Sequence, residues 1–130
     1  MSAPVLRVAR PTLDFELLRR FYCDGLGFEL LSSFSDHVGF DGWILGHPRA
    51  LYHLEFTRHP DVKVVRSPTH EHQLVFYLPG LAEWRVAVAR MRAAGCTEVE
   101  AFNPWWRERG ATFEDADGYR VVLFNAEWSR

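Results

Sequence analysis

A chain of 130 residues with 48% apolar and 25% charged side chains has the size and composition of one globular domain with a sizeable core. Its formal net charge of −2 offers no broad basic surface to nucleic acid, and its apolar runs are too short to span a bilayer. The two cysteines, Cys23 and Cys96, are too few for a disulfide framework and lack metal-ligand spacing, and no basic stretch leading into an apolar run follows Met1, so the expected compartment is the cytoplasm.

In chain order, residues 5–9 read as a strand. Asp14 is placed to cap a helix carrying Phe15, Leu17, Leu18, Phe21 and Tyr22 at helical spacing, with Arg19 and Arg20 turned away. Gly25 and Gly27 stop that helix, and Phe28 begins further strands. Residues 51–57 alternate, which puts Tyr52, Leu54 and Phe56 on one face and His53, Glu55 and Thr57 on the other. A segment with Pro60 and Pro68 follows. His70, His72, Leu74 and Phe76 then share one face of a strand, with Val75 and Tyr77 opposite. A second helix opens after Pro79-Gly80, carries Leu81, Trp84, Val88 and Met91 on one stripe, and stops at Gly95. Short strands near 97–99, 112–114 and 119–124 complete the chain.

The second half therefore repeats the first: strand, helix with Gly past its end, then three strands. This order predicts an α+β fold of two βαβββ modules in a single domain over 1–130, with module one at about 5–58, a linker at about 59–69 and module two at about 70–127. Since helices must cover one face of each sheet, the polar rows are expected in the hollow of a cupped mixed or antiparallel sheet.

Four signatures carry a resemblance: Asp14 followed by Phe21-Tyr22 and Leu26-Gly27-Phe28; Leu54-Glu55-Phe56; His72 with Phe76; and Phe113-Glu114-Asp115-Ala116-Asp117-Gly118-Tyr119-Arg120. In this order the chain resembles the vicinal oxygen chelate superfamily, which includes glyoxalase I, bleomycin- and fosfomycin-resistance proteins and extradiol dioxygenases. The resemblance implies a homodimer and a site in the sheet cup. Metal-dependent members place His, Glu, His and Glu on four strands, and those positions fall here on Arg7, Glu55, His72 and Val122. An arginine stays protonated and a valine has no lone pair, so no bound metal or other cofactor is expected. A looser donor set of His53, Glu55, His70 and His72 is the alternative for a divalent ion.

The expected role is that of a glyoxalase/bleomycin-resistance-like protein with a degenerate metal site that holds, sequesters or transforms a small organic molecule. Arg7 and His53 supply polar contacts, and Trp43, Trp105, Trp106 and Phe124 supply aromatic walls. Glu55 and His72 are the candidate bases if chemistry occurs, and turnover is left open. The alternatives are a metal-dependent lyase, isomerase or dioxygenase with other ligands, and a dimeric scaffold in which these polar groups satisfy one another.

Overall fold

The hydrophobic pattern builds the same unit twice in the computed structural model, which describes residues 2–129. Module one runs β1 (Leu6–Pro11), α1 (Phe15–Arg19), β2 (Glu29–His37), β3 (Phe40–Gly46) and β4 (Tyr52–Arg58). Module two runs β5 (Gln73–Tyr77), α2 (Leu81–Ala93), β6 (Thr97–Val99), β7 (Gly110–Glu114) and β8 (Arg120–Phe124). Each makes a four-stranded sheet, in the orders β1-β4-β3-β2 and β5-β8-β7-β6, so the first strand of each unit is an edge. β1 pairs with β4 and β5 with β8 in parallel, as a crossover through a helix requires, and the remaining pairs are antiparallel.

Asp14 caps α1 as expected, its Oδ1 accepting from the backbone N–H of Glu16 at 2.8 Å and of Leu17 at 3.1 Å. The first helix is not one continuous α-helix, however. After Arg19 it widens into a π-helical turn, Arg20–Gly25, in which the Leu26 N–H reaches back to the Phe21 carbonyl at 3.1 Å. Neighbouring Phe21 and Tyr22 are both buried in this turn, and Gly27, at φ +81°, lets the chain leave it for β2. The α2 stripe holds at Trp84, Val88 and Met91, whereas Leu17 and Leu81, assigned to the apolar stripes, are exposed.

One core serves both modules. Leu45, Leu54 and Phe56 from the first sheet meet Phe113, Val121 and Leu123 from the second, with Leu18, Tyr22, Val88 and Met91 between them. Burying these side chains at roughly 25 cal/mol per Å² is the main term holding the modules together. The seam is also pinned by polar contacts: Tyr22 donates to Asp115 at 2.7 Å and Thr12 to Asp117 at 2.8 Å. Among the described residues, no helix is long and apolar enough to cross a membrane.

Candidate functional site

Strand register decides which side chains share the faces turned away from this core. On the first sheet Arg7 lies opposite His53 and Ala9 opposite Glu55, so Arg7, His53 and Glu55 form one polar cluster on that open face. The Arg7 guanidinium donates from Nε to His53 Nε2 at 2.8 Å and from Nη1 to Glu55 Oε2 at 3.1 Å. His53 Nε2 is the acceptor of this bond, which leaves Nδ1 as the ring nitrogen not engaged by Arg7. The trio is open to solvent on the arginine side, 47% exposed, and more enclosed on the glutamate side, 16% exposed.

The open face of the second sheet has another character. Gln73 lies opposite Arg120, Val75 opposite Val122 and Tyr77 opposite Phe124. A roof formed by the segment after β6 covers part of it: in the short turn Pro104–Trp106, Trp106 meets Phe124 edge-on at 5.0 Å. Beneath it Arg120 is buried, bonded to Glu114 at 3.2 Å and to the Glu100 carbonyl at 3.3 Å. Beside the roof is a hollow of about 690 Å³ lined by Tyr77, Trp105, Phe124 and Trp128, with Glu108 and Arg109 as charged groups.

Several expected site residues are placed elsewhere. His72 precedes β5 and is exposed, in phase with the helix-covered residues Leu74 and Phe76; its ring faces Tyr119 at 6.0 Å. The open-face position belongs to Gln73, because Gln73 and Arg7 stand at the same distance ahead of the helix caps Gly80 and Asp14. Equal spacing to the helix start was the signal in the sequence, and the adjacent histidine obscured it. Trp43 lies opposite Phe56 on the covered face and stacks on Phe15 at 4.9 Å, so it is a core residue rather than a cleft wall. His70 packs near Phe102 at 6.2 Å, and the looser set of His53, Glu55, His70 and His72 does not assemble. Among the described residues, the most pronounced surface cavities are lined by other side chains than Arg7, His53, Glu55 and His72.

A model of the YycE-like N-terminal domain matches residues 6–57, and one of the YycE-like C-terminal domain matches residues 71–125. The YycE protein of Bacillus subtilis strain 168 is 39% identical over 97% of this chain and 91% of its own length. The chain belongs to the YycE-like family. The crystal structure of B. subtilis YycE superposes with a TM-score of 0.84, covering 95% of this chain and 90% of that one. Two more distant solved structures share the fold: Leishmania major glyoxalase I, 21% identical with TM-score 0.72 over 96% and 88% of the two chains, and the fosfomycin-resistance protein FosX of Mesorhizobium loti, 12% identical with TM-score 0.69 over 98% and 94%. The fold is that of the vicinal oxygen chelate superfamily.

The donors this YycE-like chain presents do not fit the superfamily's four-ligand metal centre. With the register corrected, the four strand positions carry Arg7, Glu55, Gln73 and Val122, of which only Glu55 is a strong ligand. Its carboxylate already holds a guanidinium. Among the described residues no three His, Cys, Asp or Glu side chains converge.

Proposed function

We propose that the protein is a glyoxalase/bleomycin-resistance-like binding protein that takes a small organic anion on the open faces of its sheets, without a resident divalent metal. The observation that carries this reading is the Arg7 guanidinium resting on both His53 and Glu55, which puts a fixed cation where the metal-dependent relatives need a ligand. In a homodimer, the polar trio of one copy faces the aromatic hollow of the other, and the two halves make one cup. Arg7 then holds an anionic group while Trp105 and Phe124 contact the apolar body. Any proton transfer in the cup falls to Glu55 or to His53.

Metal titration into three proteins tests this reading and the corrected register together. With Ni²⁺ or Zn²⁺ and thermal stabilisation as the readout, the natural chain and the Arg7→His/Val122→Glu variant should show no stoichiometric binding. Adding Gln73→His to that variant should create it, since His, Glu, His and Glu then occupy the four strand positions. Tight metal binding by the natural chain would overturn the metal-free reading. Binding by the double variant alone would return the third position to His72. For the anion, phenylphosphonate should move the His53 ring resonances, and Arg7→Ala should weaken it about tenfold or more while leaving benzyl alcohol unchanged.

A further inference from the structure

The seam between the modules contains a second cavity, on the helix-covered side of the sheets and separate from both open faces. Its volume is about 250 Å³, the room of about eight waters at ~30 Å³ each and of one substituted benzene ring. Three aromatic rings wall it, one from just before β2, one from β4 and one from β5, and the His47 imidazole lies against the first of them at 5.2 Å. Phe28 and Phe76 lie 5.9 Å apart, Tyr52 and Phe76 6.0 Å, and Phe28 and Tyr52 6.3 Å, at interplanar angles of 74°, 48° and 60°. Phe28 and Phe76 meet edge to face, and Tyr22 stacks on Phe28 behind them, so the rings form a fixed aromatic wall to the cavity.

Its charge is polarised along α2. Arg90 and Glu83 both line the cavity, about 10 Å apart at ~1.5 Å of rise per residue. Arg90 uses Nε to hold the Asp24 carbonyl at 3.1 Å, and its terminal nitrogens have no acceptor among the described residues. Glu83 forms no ion pair among them either. A basic end and an acidic end, both at the solvent-exposed mouth, with three aromatic walls and His47 between them, match a flat ring bearing a carboxylate at one end and a hydrogen-bond donor at the other.

We infer that this seam cavity is a second ligand site, for a para-substituted aromatic carboxylate whose acid group meets Arg90 and whose far donor meets Glu83. The site does not depend on the open-face reading. Because its walls come from both modules, an occupant bridges them and stabilises the folded chain.

The probe is 4-aminobenzoate, with benzoate and aniline as half-ligands, titrated into the 130-residue chain and followed by NMR. Saturable binding at or below about 1 mM, with intermolecular NOEs to the rings of Phe28, Tyr52 and Phe76, is expected. Arg90→Gln should weaken 4-aminobenzoate about tenfold or more and leave aniline unchanged, and Glu83→Leu, which removes the acceptor, should remove its advantage over benzoate. Ala87→Phe, which fills the cavity, should abolish binding; if that variant fails to fold, the NOEs in the natural chain decide. No saturable binding, NOEs to Trp105 or Phe124 instead, or indifference to Arg90→Gln would overturn the site.

Discussion

The two open faces start from the same backbone and end as opposites. On the first sheet, Arg7, His53 and Glu55 remain solvated and hold one another. On the second, Gln73, Arg120 and Val122 occupy the matching places, and a turn of 3₁₀-helix closes over part of the face. The connections between the last two strands of each sheet differ in the same sense. Residues 47–51 of module one are largely exposed, whereas Asp115, Asp117 and Gly118 of module two are buried against module one. A repeated topology therefore does not imply a repeated site, because topology sets where side chains point and the side chains decide what the position does.

Removing the roof attacks this contrast most directly. In Gly110→Ala the new methyl group would collide with the Trp106 backbone carbonyl, and displacing the roof should cost about 3 kcal/mol in urea-denaturation stability. Trp106→Ala, which strips the ring from Phe124, should cost about 2 kcal/mol, while Trp105→Ala, 70% exposed, should stay within about 0.5 kcal/mol. Equal losses at the two tryptophans would mean that the roof does not stabilise the second sheet.

The buried turn supplies a pH test. Burial raises the Asp115 carboxyl above the ordinary aspartate value, outweighing the hydrogen bonds from Tyr22 and the Tyr119 and Asp117 backbones that lower it. The folded chain thus holds this proton more tightly than the unfolded chain, so Asp115's contribution to stability falls as pH rises from the ordinary aspartate value to the raised one and is constant above it. Asp115→Asn should cancel that fall. The difference in urea midpoint between the natural chain and the variant should therefore move against the natural chain as pH rises through this window, and an unchanging difference would contradict the assignment.

The smallest effect is expected on the first open face. Arg7→Ala removes an ion pair whose cation is half exposed, and should change stability by at most about 1 kcal/mol. Set against the loss at Gly110, that result would sharpen the contrast between a face free to bind and a face used to hold the fold. A loss of several kcal/mol would instead make the trio structural.

The repeat, both helix stops, the Asp14 cap and the alternation that brings His53 and Glu55 to one face were legible in the chain itself, because they follow from local periodicity and from what Gly and Asp do to backbone. Which face of β5 is the open one was not. Periodicity assigns His72 to the row of Leu74 and Phe76, yet which row the helix covers is set by pairing with β8 and by packing on α2, and that choice gives the open face to Gln73. Trp43 was misplaced for a related reason: an aromatic residue fits a cleft wall and a core equally well until its cross-strand partner, here Phe56, is known. The widened turn at Arg20–Gly25, the roof over β8 and the seam cavity depend on contacts between segments distant in the chain. Local sequence determined the two units and most of their inward rows; only tertiary packing decided which faces stayed open and what was left on them.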